Sequence, residues 1–242
     1  MPFRHGRLAE ILHGTATTAQ DVSTFFYSAQ WNAYATPAEV STFKSTWRSY
    51  IAGTVFSQFF GYGYYDPTLT AVRLSLQAAP GVLNYAPAGA LVIGDIVRLV
   101  SFNTVKYKES PKTTSAVAFS WSADSTAPAG MGVTLHPLAQ EALGTITGTG
   151  DGVMTSAAGT GLIAHLHVTQ VSSAVASSFK LQDATTLGGA YTDIAGGAFT
   201  NMTAVGAQRL VVTGTVRQFV RAVSVIGPAT TTYSIAVARY PT

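Results

Sequence analysis

Apolar and polar residues in this chain alternate over short runs far more often than they recur at helical spacing, and a period of two predicts strands. In "DVSTFFYSAQW", Phe25, Tyr27, Ala29 and Trp31 share one parity, so a strand is expected with those four on one face. "NAYATPAEVSTF" carries Pro37 among small polar residues and reads as a long loop over about 32–45. A second extended run follows from about Ser45 to Tyr65, where Gly53, Gly61 and Gly63 suggest bulges or close backbone approach. One helix is predicted, in "DPTLTAVRLSLQAAPG" (66–81): Asp66 suits the N-cap and Pro67 the first turn. Its Leu69, Val72 and Leu76 lie near 3.6-residue spacing, and Pro80-Gly81 ends it. "LVIGDIVRLVSFNTVKY", "SAVAFSWSA" and "GMGVTLHPL" read as strands, whereas "RLAEILHG" near the start fits one helical turn or an extended arm.

Residues 138–160 are rich in Gly, Thr and Ala and almost free of large side chains, which marks a connection. Short runs return beyond it: "LIAHLHVTQV", "SSFKLQDA", "AYTDIA", "FTNMTAV", "AQRLVVTGTVRQFVRAVSVIG" and "TYSIAVARY". Such spacing means a sandwich or barrel. The expectation is a mainly β chain, with a β-sandwich or barrel over 1–137 flanked by one short helix, a connection over 138–160, and a second β-sandwich over 161–242.

Composition changes the picture in one respect. Of the 242 residues only 10% are charged, against about 25% in ordinary soluble domains. Their place is taken by Ser, Thr, Gly and Ala, and charge is what keeps surfaces apart. Much of the surface is therefore expected to be covered by copies of the chain or by partners. The net charge of +3 comes from dispersed residues and marks no nucleic-acid-binding face. Cysteine is absent, which excludes disulfides and thiolate metal sites. The most apolar stretch, "GVLNYAPAGALVIGDIV", is interrupted by Asn84, Pro87, Gly94 and Asp95, so no membrane span is expected, and no secretory signal is read at the start.

Candidate chemistry is sparse. His165 and His167 lie two apart in a strand and share a face, so they could chelate a metal if Asp183 or Asp193 converged. The alternative, two polar residues facing solvent or an interface, is the preferred reading, and no metal or cofactor is expected. "GTGDGV" (148–153) lacks the lysine and strand-to-helix context of a phosphate loop and reads as a turn. No nucleophile elbow or paired carboxylates occur, so no catalytic residue is assigned. In "RQFVRAV", Arg217, Phe219 and Arg221 share one strand face, with Val216, Val220 and Ala222 expected in the core.

The segment 42–66, "TFKSTWRSYIAGTVFSQFFGYGYYD", holds nine aromatic side chains. Some must be core, but the run is too dense for one half-buried strand to hide. Aromatic residues with Arg are enriched at interface centres, so part of it is expected to meet another subunit.

The order "DVSTFF", "ATPAEVSTF", "WRSYIAG", "FFGYGYYDPT", with "PGVLNYAPAGALVIGDIVRLV", "GMGVTLHPL" and the C-terminal run from "FKLQDATTLGGAYTDIAGG" to "RQFVRAV", resembles the major tail tube proteins of bacteriophages with long non-contractile tails. One departure is Val55-Phe56 beyond "IAG", where the family pattern has a small polar pair. The resemblance implies a tail-tube-like fold and a virion protein without catalysis or cofactor. Its copies would form stacked rings, usually hexameric, around a lumen through which DNA leaves; a trimeric, pseudo-sixfold ring is the other arrangement. Partners would be the chain itself, the tape measure, tail terminator and distal tail proteins, and genomic DNA held without sequence specificity. The expected location is the virion tail, assembled in the host cytoplasm. The loop 32–45 would reach an adjacent subunit. Interface candidates are Tyr34, Pro37, Glu39, Phe43, Trp47, Arg48, Tyr50, Phe59, Phe60, Tyr62 and Tyr64. Two other readings stay open, a capsid-decoration or fibre-like virion protein and a carbohydrate-binding sandwich.

Overall fold

The computed structural model describes residues 8–35, 38–39, 50–51, 55–65, 76, 80–90, 92–112, 115–147, 159–227 and 230–239. The architecture is almost entirely antiparallel β, as the period-two pattern requires. Five strands come first: β1 (Glu10–Thr15), β2 (Thr18–Asp21), β3 (Phe26–Ala35), β4 (Ala38–Glu39) and β5 (Tyr50–Ile51). The next five are β6 (Val55–Tyr64), β7 (Gly81–Ala86), β8 (Ile96–Lys112), β9 (Ser115–Ser125) and β10 (Gly130–Glu141). Then come β11 (Gly144–Thr147), β12 (Gly159–Val171), β13 (Ser178–Ala184), β14 (Thr192–Ala198), β15 (Gly206–Val216), β16 (Phe219–Ile226) and β17 (Thr231–Arg239).

Eight strands form the spine of the main sheet in the order β15-β12-β17-β10-β8-β7-β1-β2, and β9, β6 and β3 branch from the far half of β8. The 17-residue β8 makes both possible. Its first half pairs with β10 and β7, and from Phe102 onward it pairs with β9. A smaller sheet, β11-β16-β13-β14, forms a second layer. The spine curls until β2 and β1 pack against β12 and β15, with Ala19, Val82 and Ala207 buried together.

Two cores follow. Ile11, Phe59, Leu83, Phe102, Phe119 and Trp121 fill the space between the β3-β6-β9 branch and β1, β7 and β8. Leu135, Leu166, Phe179, Leu181, Tyr233 and Ile235 fill the space between the β12-β17-β10 part of the spine and the smaller sheet. Strands from both halves of the chain share the spine, through β10 beside both β8 and β17. The stretch 138–160 contains the end of β10, all of β11 and the start of β12; 148–158 lie outside the described residues.

Several expectations need correction. "RLAEILHG" is not a free arm: Leu8 lies in a 3-10 turn and the residues from Glu10 enter β1, paired on both sides, because Ile11 and Leu12 have core to fill. Residues 32–35, expected in a loop, extend β3 beside β6 as far as Ala35↔Val55. "FTNMTAV" forms no strand, only a bridge between Ser177 and Met202. The long run "AQRLVVTGTVRQFVRAVSVIG" breaks at Arg217-Gln218 into β15 and β16. The helix expected over 66–81 lies outside the described residues except for Leu76, which is buried, and Pro80-Gly81, where β7 begins.

The parity expected for β3 also changes, and a bulge is the cause. Phe26 pairs with Gly63 and Ser28 with Tyr62, so Tyr27 is the extra residue. Phe26, Ala29 and Trp31 pack on the core while Tyr27 is 59% exposed. Gly61 and Gly63 stand at close backbone approaches as expected, and Gly53 lies outside the described residues. A Cβ on Gly61 would meet the Phe26 ring at 2.1 Å, and one on Gly63 would lie 2.1 Å from the Phe25 carbonyl oxygen. A ring edge can move but backbone cannot, so Gly63→Ala is expected to lower stability by about 2–3 kcal/mol through overpacking. Chemical denaturation of the purified variant measures it.

Candidate assembly surface

β3 and β6 form a hairpin without a charged residue in 26–35 or 55–65. Strand alternation sorts its rings. Phe59 points inward, wholly buried, with Tyr85 at 5.4 Å and Trp121 at 5.3 Å between ring centroids. Its neighbours in the period-two series point outward: Phe56 is 38%, Tyr62 45% and Tyr64 55% exposed, and Phe60 is half-buried. β3 adds Tyr34, 40% exposed. The outer rings pair across the hairpin, Tyr27 with Tyr64 at 5.0 Å and Tyr34 with Phe56 at 5.3 Å.

The face continues over β9 and β8. Phe60 lies opposite Ser122, which lies opposite Lys106; Tyr62 lies opposite Ser120, which lies opposite Lys108. A column of rings, a column of serines and a column of lysines thus run side by side. Asp124, the acidic residue of β9, is engaged by the Gln58 amide, which donates to Oδ1 at 2.6 Å. At the other margin Gln30 donates to Asn32, and Asn32 to the Tyr34 hydroxyl, a polar ladder on the outer face of β3.

Of the interface candidates, Tyr34, Tyr62 and Tyr64 stand together on this face, with Phe60 between them. Phe59 does not belong with them: its side chain is core, and its inward parity was readable from the alternation Phe56, Gln58, Phe60, Tyr62, Tyr64. Glu39 and Tyr50 face each other in the short β4–β5 ladder. Pro37, Phe43, Trp47 and Arg48 lie outside the described residues, as does most of the loop 32–45. Sequence reasoning missed Tyr27 and Phe56, the two rings that complete the outward pairs.

The histidines do not face solvent. His165 and His167 are wholly buried where the spine curls on itself. His165 Nδ1 lies 2.8 Å from Asn84 Oδ1, and His167 Nε2 lies 3.3 Å from the Val82 carbonyl oxygen. The first contact makes Nδ1 the donor, because the amide oxygen only accepts. His13 is also buried, its ring 5.2 Å from Phe102 and 5.6 Å from Trp121. Burial holds all three below the ordinary imidazole value, His13 at about 3, His167 at about 4 and His165 well below. Among the described residues no three His, Cys, Asp or Glu converge in a way that could hold a metal.

Asp183 and Asp193 do not approach the histidines but organise the smaller sheet. Asp183 accepts the Arg217 backbone N–H at 2.8 Å. Asp193 accepts from Gln182 at 2.6 Å and Lys180 at 2.9 Å, contacts that lower its pKa. Arg221 donates twice to the Gln182 oxygen and lies over the Tyr191 ring at 4.1 Å. Arg217 has left the strand and donates to the Thr192 hydroxyl at 3.0 Å. Both arginines are thus tied within the smaller sheet. "GTGDGV" lies outside the described residues. No described helix is long and apolar enough to cross a membrane.

No protein-family model and no characterised protein matches the sequence. Among solved structures, the tail of an empty gene transfer agent particle with C6 symmetry is similar over 53% of this chain and 98% of that one, with 10% identity and a TM-score of 0.43. The SPP1 Dit protein, described as a hub adsorption apparatus, is similar over 95% of this chain and 99% of its own, with 9% identity and a TM-score of 0.35. A chain of the phage p2 baseplate in its activated conformation is similar over 96% and 98%, with 9% identity and a TM-score of 0.39.

Proposed function

We propose that this chain is a structural virion protein whose copies assemble into stacked rings, forming the hollow tube of a phage tail through which DNA is ejected. The observation that carries the reading is the uncharged β3–β6 hairpin with its rings outward. A lone soluble protein blunts exposed strand edges and aromatic surface with charge or proline. Here the two paired segments, 26–35 and 55–65, have neither, while the sequence order resembles the tail tube family. Burial of Phe56, Tyr62 and Tyr64 by a neighbour would recover roughly 25 cal/mol per Å² of apolar surface. Tyr34, Phe60, Tyr62 and Tyr64 would belong to the contact, the 1–137 unit would build the ring, and 161–242 would be the added β unit. Tape measure, terminator and distal tail proteins would meet the tube at its lumen and ends.

Purified full-length protein tests this by negative-stain microscopy and sedimentation. Rings or tubes whose mass rises with concentration are expected. A monomer that stays monodisperse at millimolar concentration overturns the reading.

A further inference from the structure

β9 separates the ring column of β6 from the lysine column of β8, and its outward residues are small. Phe119, Trp121 and Ala123 are buried, so Ser120 and Ser122 point the other way and floor a groove of about 380 Å³. One wall is aromatic, made by Tyr27, Phe60 and Tyr62. The other is cationic, made by Lys106 and Lys108, both exposed. Short hydroxyl side chains between long ones hollow out the face.

The two walls are in step. Phe60 and Lys106 flank Ser122, and Tyr62 and Lys108 flank Ser120. Alternate positions on a strand are about 6.7 Å apart, and the walls stand two strand spacings apart, about 9.6 Å. An extended polypeptide has the same axial repeat. Laid along the groove over β9, it sends successive side chains to opposite walls. Carboxylates at every second position then meet the two ammonium groups, and apolar residues between them meet Phe60 and Tyr62. The Ser120 and Ser122 hydroxyls both donate and accept, which suits the peptide groups of such a segment.

Charge narrows the choice of occupant. Asp124 follows Ser122 along the outward face of β9, its carboxylate engaged by the Gln58 amide. A carboxylate there repels a polyanion running on past Lys106, so the groove fits a ligand charged at two points better than a continuous phosphodiester strand. Glu109 has the parity of Tyr107, whose ring stacks on Phe119, and so belongs to the other face. Among the 11 Asp and Glu of this chain no two stand two residues apart, so no strand of a second copy carries the pattern.

We propose that this groove binds an extended segment of a different protein, in which acidic residues alternate with apolar ones. The proposal goes beyond the self-assembly reading and does not rest on it, since one copy holds the whole groove.

A labelled eight-residue peptide alternating Asp and Leu, titrated with full-length protein and followed by fluorescence anisotropy, tests it. Saturable binding is expected, weakened by about 0.5 M salt. A peptide of the same composition with its four Asp in one block is expected to bind at least about fivefold more weakly. The double variant Lys106→Gln with Lys108→Gln is expected to lose about five- to thirtyfold in affinity with wild-type circular dichroism. The charge-reversed pair Lys106→Glu with Lys108→Glu is expected to reject the Asp peptide and take up one alternating Lys and Leu. No saturable binding of the alternating peptide, equal binding of the blocked one, or an affinity indifferent to the lysines overturns the proposal. Tighter binding of an eight-nucleotide oligothymidine than of the peptide also overturns it and gives the groove to single-stranded nucleic acid. Rings or tubes formed by the wild type bear on none of these outcomes, so this proposal and the self-assembly reading fail separately.

Discussion

Acid is expected to unfold this protein steeply, beginning just below pH 6.5. His13, His165 and His167 are buried and neutral, while in the unfolded chain each titrates near 6.5. As pH falls below that value the unfolded state takes up three protons that the native state refuses. Native stability is therefore fully present above about pH 6.5 and is lost as pH drops toward about 4 for His167 and about 3 for His13. One group opposes them. Glu10, desolvated and near Asp21 and Asp95, is raised to about 7, so between about 4.5 and 7 the native state holds one proton that the unfolded state lacks. The net uptake on unfolding in that window is two protons, or about 3 kcal/mol per pH unit. Against a total stability of about 5–15 kcal/mol, a few pH units exhaust it. Urea titrations at several pH values measure the slope. In the double variant His165→Gln and His167→Gln, the two remaining terms cancel and the profile is expected to be nearly flat from pH 6.5 to 4.5. A double variant that keeps the wild-type slope shows that these imidazoles do not control acid stability.

The same histidines show where sequence reading stops. Their shared parity was legible in "LIAHLHVTQV", but whether that face met water was not. The face they share is closed by β7, some eighty residues away, which supplies Asn84 to His165 and a carbonyl to His167. Only the curl of the spine brings those strands together, and no local pattern encodes a curl. Strand character was legible wherever alternation was clean, as in β8, β9, β10, β12 and β17. It failed at "RLAEILHG", where a six-residue strand is too short to show a period, and at "FTNMTAV", where apolar Phe199 and Met202 are anchors for a loop. The bulge at Tyr27 escaped because a single extra residue shifts a face without leaving a mark in composition. Low charge density was legible in the composition, and the β3–β6 pair is one of the chain's uncharged stretches.

Two variants, Phe59→Ala and the double variant Tyr62→Ser with Tyr64→Ser, are expected to fail in opposite ways. Phe59 is wholly buried among Phe26, Tyr85 and Trp121. Its truncation leaves a cavity that rigid strands on both sides cannot close, at about 3–5 kcal/mol. Tyr62 and Tyr64 point away from that core, at 45% and 55% exposure. Replacing them costs the monomer little, within about 1 kcal/mol of lost ring pairing with Tyr27. It removes apolar surface that a neighbour would cover, so assembly is expected to shift to at least tenfold higher concentration. Thermal unfolding and concentration-dependent sedimentation of the same samples separate the two effects. Phe59→Ala should melt early, and whatever fraction remains folded should still associate; the tyrosine pair should melt near the wild type and need at least tenfold more protein to associate. Wild-type assembly by the tyrosine variant would mean that the outward rings of β6 face solvent in the assembled protein.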